Sequence, residues 1–165
     1  MTINRINDPA DQSSTATTSY KKIIIASQFG DGKVLDDTMT IRRPVFIIEE
    51  KVSEKDEIDG RDSQSLHYVA YKHNWQPVSC ARVYLVGKDG WHIGRVATLA
   101  AFRGLGLASQ VLQTIENNAR SHNIKKLELE AQVHAISFYE NLGYTAFGDI
   151  FLDAGIEHRK MTKNI

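Results

Sequence analysis

The sequence has few of the features that mark specialised classes of protein. Its 165 residues include one cysteine, Cys80, so no internal disulfide can form. Lysine plus arginine and aspartate plus glutamate both total 20, and this zero formal charge disfavours a general nucleic-acid or acidic-membrane surface. No apolar run reaches the roughly 20 residues of a membrane span, and residues 1–19 are polar, unlike a secretory signal. We therefore expect a cytoplasmic protein with a flexible tail over residues 1–19 and a single domain over 20–165.

The hydrophobic periodicity predicts a mixed α/β (α+β) fold with about seven strands. After a break at residues 30–32, a helix is expected from Val34 to Ile48, and a second over 104–122, with a long charged loop over 51–64. Short turns after the second and third strands favour an antiparallel meander. The predicted strands cover 21–27, 66–71, 78–86, 91–99, 126–131, 146–152 and 158–162. The buried stripe of the second helix is predicted to be Leu105, Ala108, Val111, Leu112, Ile115 and Ala119.

The most informative segment joins the predicted strand 91–99 to the second helix. Its two glycines let the backbone curl so that consecutive amide groups face one point. The start of a helix adds a partial positive charge, and an arginine adds a full one. Such a junction suits a pyrophosphate without a metal. The predicted phosphate-binding residues are Arg103, Gly104, Leu105, Gly106, Leu107, Ala108 and Ser109.

Other interpretations of these glycines remain open. A nucleotide triphosphatase loop would need a lysine after the second glycine, and none is present. A dinucleotide-binding fingerprint would need a third glycine where Ser109 stands, although Glu128 falls near the acidic ribose position. The glycines could also serve only as a tight strand-to-helix turn.

A second informative segment covers residues 131–144, where a strand runs into a short helix that ends at a glycine. Ala135, Phe138, Tyr139 and Leu142 recur at helical spacing on one face, and Gly143 is placed to cap the end. Tyr139 is therefore predicted to point inward.

Together the two segments resemble the GNAT N-acetyltransferase family, in which an Arg/Gln-x-x-Gly-x-Gly/Ala loop precedes a Phe-Tyr-Glu-x-x-Gly-aromatic segment at about this separation. A finer similarity to the ElaA-like branch covers most of residues 40–162. Two residues depart from that branch: Glu50 stands where it usually has glutamine, and Pro44 falls inside the first helix. The matching residues are Arg42, Val45, Phe46, Glu49, Asp59, Asp62, His67, Gly94, Arg95, Val96, Ala131, Gln132 and the segment 155–161.

The resemblance implies a largely antiparallel sheet, splayed at a cofactor cleft and flanked by helices. It also implies acetyl-CoA as the acetyl donor, with the edge residues Val96, Ala97 and Thr98 pairing with the pantetheine arm. Gln132 would hydrogen-bond that arm, and Phe138 and Tyr139 would lie beside the cofactor, with Tyr139 near the sulfur.

The reaction also needs a proton acceptor, because an alkylamine is almost fully protonated at pH 7. Spacing alone singles out none of the candidates. Glu49 and His67 are preferred because they match the narrower branch. The remaining candidates are Glu50, Asp59, Asp62, Glu130, His134 and His158. The six histidines form no His-Glu-x-x-His pattern, so no catalytic metal is predicted.

The predicted function is transfer of acetyl from acetyl-CoA to a primary amine by direct attack in a ternary complex. The acceptor would be a small molecule or a peptide, with no nucleic-acid or membrane partner, and a homodimer is left open. One alternative is a CoA-binding regulatory or sensor module without turnover. A dinucleotide-binding enzyme is the other.

Overall fold

A seven-stranded sheet forms the centre of the molecule in the computed structural model, which describes residues 22–165. The predicted tail and Lys21, the first residue of the first predicted strand, lie outside the described residues. The strands are β1 (Ile24–Phe29), β2 (Leu66–Lys72), β3 (Gln76–Val86), β4 (Gly90–Thr98), β5 (Lys126–Gln132), β6 (Thr145–Asp153) and β7 (Ile156–Asn164). The helices are α1 (Lys33–Arg42), α2 (Glu54–Glu57), α3 (Leu107–Ser121) and α4 (Ile136–Asn141).

The strand order is β1-β2-β3-β4-β5-β7-β6. Strands β1 to β4 form an antiparallel meander, and β5, β7 and β6 pair antiparallel on the other side. Between the two groups, β4 and β5 are parallel because α3 carries the chain back across the sheet. The mixed, largely antiparallel sheet that the sequence predicts is therefore confirmed.

Each face of the sheet carries its own hydrophobic core. Along β2, Tyr68 and Ala70 join the core beneath α3 and α4, whereas Val69 and Tyr71 join the core beneath α1. This alternation follows from the two-residue period of a strand. Cys80 lies in the smaller core, where burial raises the pKa of its thiol to about 12, as expected for an inert buried cysteine.

The first helix continues beyond α1, but its hydrogen-bonding pattern changes. Residues Arg43–Glu49 are π-helical, with Glu50 N donating to Val45 O at 3.0 Å. Pro44 stands at the start of this segment, where a residue without an N–H and with a bulky ring disfavours the regular i to i−4 ladder. The predicted helix therefore exists over its expected length, but in two geometries.

The segment 51–64 corrects the prediction of a long loop. It contains α2, capped by Ser53 whose Oγ accepts from Asp56 N at 3.1 Å, and a 3₁₀ turn at Asp62–Gln64. Its charge looked like that of a solvated loop. Several of these charges are instead directed inward, towards arginines on the sheet and on α1.

Three arginines and three acids form a buried ionic network, which consists of Arg42, Arg82, Arg95, Glu57, Asp59 and Asp62. Arg42 pairs with Glu57 and, through Nη1, with Asp62 Oδ1 at 2.9 Å. Arg82 holds Asp59 through two hydrogen bonds of 2.7 and 2.8 Å. Burial opposes ionisation of Asp59, but the hydrogen bonds from Arg82 outweigh it and hold its pKa below the usual range. The network thereby binds segment 51–64 to α1, β3 and β4.

We predict that Glu57→Gln lowers the free energy of unfolding by about 3–5 kcal/mol, because it removes a buried negative charge that pairs with both Arg42 and Arg95. Glu54→Gln is the matched control, since Glu54 is 63% exposed and pairs with Arg43 at the surface. That control is expected to cost less than about 1 kcal/mol. Urea unfolding at pH 7 measures both, and equal small losses would contradict a structural role for the network.

Candidate active site

A cleft opens in the sheet where β4 and β5 stop pairing. Their parallel ladder runs from Gly90 opposite Lys126 to Ile93 opposite Leu129, although both strands continue for several residues. Beyond this point the strands diverge around a cleft of about 380 Å³. Its walls come from the far ends of β4 and β5, the π-helical segment, and residues of α4 and β7.

A bulge in β4 coincides with this divergence. Arg82 of β3 lies opposite Gly94, and Cys80 lies opposite Ala97. Between these pairs β4 has two residues, Arg95 and Val96, where β3 has only Ala81. Arg95 adopts φ 53°, in the left-handed region that non-glycine residues seldom occupy. Its guanidinium reaches Glu57 Oε2 at 2.7 Å, so the buried ionic network holds the residue in this conformation. A bulge bends a strand, which directs the end of β4 away from β5.

The predicted edge residues Val96, Ala97 and Thr98 all line the cleft. On the other side, β4 remains bound to β3, and Ser79 Oγ donates to Ala97 O at 3.1 Å. Because β5 has left this part of β4, the edge that faces the cleft is free to pair with an extended ligand.

The loop from Gly104 to Gly106 is strongly turned and leads into α3. Gly104 and Gly106 have φ values of 78° and 74°, and nothing lies within 4 Å of a Cβ built on either residue. The amide groups of residues 104–109 donate to no acceptor in the described part of the chain, and Gln110 N, bonded to Gly106 O at 3.1 Å, is the first to do so. This is the geometry that binds an anion at a helix start.

The same loop corrects the predicted buried stripe of α3. Leu105 is 58% exposed, and the helix begins at Leu107, which is buried. The two left-handed glycines keep residues 104–106 out of the helix, so the first buried position falls two residues later.

Arg103 and Glu49 form an ion pair at the mouth of the cleft. Two hydrogen bonds of 2.7 and 3.0 Å join the guanidinium to the carboxylate, and Arg103 Nε donates to Thr98 O at 3.0 Å. The hydrogen bond from Arg103 holds the pKa of Glu49 below its ordinary value. Glu49 therefore has a cationic partner and is a weaker base than an isolated glutamate.

Glu50, the next residue, is directed into the cleft instead. Its Oε2 accepts from Gln132 Nε2 at 2.9 Å, and this contact joins the π-helical segment to the end of β5. Burial raises the pKa of Glu50, since the contacting amide of Gln132 is neutral and offsets the desolvation only in part. Nothing in the sequence favours Glu50 over Glu49, because the difference depends on which of two adjacent side chains contacts an arginine.

Tyr139 lies at the inner end of the cleft, at 8% exposure, as its helical spacing predicted. Phe138 and Tyr144 contact its ring edge-on, with centroids 5.0 and 5.8 Å away. Burial raises the pKa of Tyr139, so its hydroxyl keeps the proton at neutral pH. The Tyr144 hydroxyl is buried without a hydrogen-bond partner among residues 22–165, whereas the Tyr139 side chain borders the cleft.

Three of the candidate proton acceptors lie elsewhere. His67 is fully buried on β2, where its Nε2 lies 2.8 Å from Asp62 O, and it is not part of the cleft lining. Burial lowers the pKa of His67. Asp59 and Asp62 are bound in the buried ionic network. Glu130, His134 and His158 do line the cleft.

Neither a metal centre nor a membrane span stands out in residues 22–165. No group of three or more histidine, cysteine or acidic side chains in this range is arranged to hold a metal ion. None of its helices combines the length and apolar character needed to cross a bilayer.

Comparison with known proteins identifies the class. Residues 42–165 match the family model described as the acetyltransferase (GNAT) domain. The uncharacterised N-acetyltransferase YjcF of Bacillus subtilis is 33% identical over 132 residues, which cover 79% of this chain and 92% of that protein. The crystal structure of Escherichia coli ElaA superposes with a TM-score of 0.76 at 25% identity, over 86% of this chain and 99% of ElaA. A Bacillus subtilis acetyltransferase in complex with CoA shares the fold, with a TM-score of 0.65 at 12% identity over 87% and 99% of the chains.

The chain belongs to the GNAT acetyltransferase family. Members of this family use acyl-CoA as the acyl donor. The resemblance noted from the phosphate-binding loop and the Tyr139 segment is thus confirmed at the level of the family and its fold.

We predict that Arg103→Ala returns the pKa of Glu49 from its lowered value towards the ordinary glutamate value of about 4.3. The reason is that the guanidinium supplies the hydrogen bonds that favour the ionised form. Side-chain carboxyl titration by NMR measures the change. An unaltered Glu49 titration in this variant would show that the ion pair does not persist in solution.

Proposed function

We propose that this protein transfers acetyl from acetyl-CoA to a primary amine, which attacks the thioester directly in a ternary complex. The observation that carries this proposal is the combination of the free edge of β4 and the unpaired amides of residues 104–109. A molecule with an amide-bearing arm and a pyrophosphate matches both features. The acceptor enters from the opposite side of the cleft, past Glu50 and His158.

The donor's pyrophosphate is held mainly by backbone groups. The amides at the start of α3 supply hydrogen bonds and the positive end of the helix dipole. Arg103 adds a full charge at the same junction and is orientated by Glu49 and the Thr98 carbonyl. The free backbone of Val96 to Thr98 pairs with the pantetheine arm as an added strand would. An amide of the same edge stabilises the oxyanion that develops as the thioester is attacked.

Tyr139 acts at the leaving group by donating a hydrogen bond to the departing thiolate. Transfer of a proton from an ordinary phenol, with a pKa of about 10, to a thiolate whose thiol has a pKa of about 8.5 costs about 2 kcal/mol. Burial raises the pKa of Tyr139 further and makes full transfer less favourable. A hydrogen bond that strengthens as charge develops on sulfur needs no such transfer.

The two alternatives make different demands on the structure. A dinucleotide-binding enzyme uses an open, mostly parallel sheet, whereas the sheet of residues 22–165 is largely antiparallel with β4 and β5 as its parallel pair. A CoA sensor would have the same donor site without turnover. Thiol release measured over a panel of amines separates the sensor from the transferase.

We predict that Gly106→Val weakens CoA binding at least tenfold, because a side chain at this position occupies space that the phosphates need. The variant should still fold, since no protein atom lies within 4 Å of the added Cβ and the strained φ of 74° costs about 1–3 kcal/mol. Gly87→Val is the matched control, because Gly87 has φ 65° and equally open surroundings in the β3–β4 turn. Calorimetric titration with CoA compares them. Wild-type affinity in a folded Gly106→Val protein would refute the loop assignment.

We further predict that Tyr139→Phe lowers kcat about tenfold or more and changes CoA affinity less than twofold. In the wild type, the Tyr139 hydroxyl stabilises the thiolate in the transition state and contributes little to binding of the donor. Tyr144→Phe serves as the control, because that hydroxyl is buried outside the cleft. Steady-state thiol release reports the rate, and equal kcat values for the two variants would restrict Tyr139 to packing.

A further inference from the structure

Two adjacent carboxylates at the end of the π-helical segment have opposite surroundings. Glu49 is bound by two hydrogen bonds from Arg103, at the mouth of the cleft beside the phosphate loop. Glu50 lies within the cleft, and its hydrogen-bond donor among the described side chains is the neutral amide of Gln132. Of the two, only Glu50 is available to a positively charged group that enters the cleft.

The surroundings of Glu50 favour a cationic guest. The cleft lining also includes Glu130 and Asp153, neither of which forms an ion pair within residues 22–165. Its two arginines, Arg95 and Arg103, are already bound to acids. The cleft lining therefore has more acidic than basic side chains free of ion pairs, and this excess of negative charge attracts cations.

We propose that Glu50 is the catalytic base, that it binds the acceptor as an alkylammonium ion, and that Gln132 positions its carboxylate. This inference rests on the proposed acetyl transfer and assigns its acceptor class and its base. The assignment differs from the preference for Glu49 and His67 that the sequence suggested. Glu49 is neutralised by Arg103, and His67 lies outside the cleft.

The chemistry balances with the groups present. Glu50 takes one proton from the bound ammonium, and the neutral amine then attacks the thioester carbonyl carbon. As the C–N bond forms and the C–S bond breaks, the second amine proton passes to the thiolate sulfur. The products are the N-acetylated amine and CoA with a free thiol, and the proton on Glu50 returns to solvent. The base is useful because an alkylamine with a pKa near 10.4 is neutral in only roughly one molecule in a few thousand at pH 7.

The pH dependence follows from the side chains around Glu50. Burial is the main influence and raises its pKa, the charge of Glu49 raises it as well, and Gln132, His134 and His158 act in the opposite direction. Only the ionised form accepts a proton, so turnover falls as the pH decreases through this pKa. The acidic limb of the rate profile should thus lie above the ordinary glutamate range.

The test compares wild type, Glu50→Gln and Gln132→Leu, with the exposed surface change Glu54→Gln as control. Thiol release is followed between pH 5 and pH 9.5 with spermidine, kanamycin, tyramine and a lysine peptide as acceptors. We expect Glu50→Gln to lower kcat about 100-fold at pH 7, with a smaller loss at pH 9.5 where more of the amine is already neutral.

Gln132→Leu removes a contact that lowers the Glu50 pKa, so the acidic limb of this variant's rate profile should move to higher pH. Glu54→Gln should stay within twofold of wild type.

Binding provides a readout that does not depend on turnover. Spermidine is titrated calorimetrically into CoA-saturated wild type and Glu50→Gln, after a thermal melt with CoA shows that the variant is folded. A tenfold or greater loss of affinity supports the ammonium site, even if no amine is acetylated and the proposed transfer fails. If wild type turns over an amine and Glu50→Gln is within threefold with the same acidic limb, the assignment of Glu50 is overturned and the proposed transfer stands. If spermidine neither binds nor reacts, the inference is rejected.

Discussion

The buried ionic network of Arg42, Arg82, Arg95, Glu57, Asp59 and Asp62 is the interaction on which the cleft depends. Glu57 and Asp59 are supplied by segment 51–64, and Arg95 projects towards them from β4. That contact holds Arg95 in a left-handed conformation, and the resulting bulge at Arg95 and Val96 bends β4 just beyond Ile93, the last residue at which it pairs with β5. Loss of one partner from a buried pair is strongly destabilising, so these contacts stabilise the bulge. The shape of the sheet opening is thus maintained by charges that take no part in the proposed chemistry.

The π-helical segment has a comparable role on the other wall. Pro44 marks the change of helical geometry, and the segment ends with Glu49 and Glu50 side by side. Glu49 contacts Arg103 before α3, and Glu50 contacts Gln132 at the end of β5. Both proposed substrates therefore meet residues of one short segment. This arrangement brings Arg103, the β4 edge and the candidate base to the walls of one cleft.

Much of the fold was predictable because its signals are local. The seven strands were predicted from short β-branched and alternating runs. The tight loop was predicted from Gly104 and Gly106, because glycine readily adopts the positive φ that the loop requires. The inward orientation of Tyr139 follows from helical spacing alone. Segment 51–64 was predicted incorrectly, because charged residues there resemble a solvated loop until their partners on α1, β3 and β4 are known. Leu105 was predicted to be buried because the periodicity of α3 was extended back across Gly104 and Gly106. These two glycines lie before the helix begins, so Leu105 is not on its buried face.

The sequence by itself determined the family, the order of the elements and the position of the glycine loop before α3, since these depend on residue types at fixed separations. Only the tertiary structure decided which carboxylate is free. The sequence favoured Glu49 by its match to the branch, but Glu49 is bound by Arg103, 54 residues away, and Glu50 is bound by Gln132, 82 residues away. Such contacts arise from the packing of distant segments, and the charge state of a side chain depends on what is packed around it.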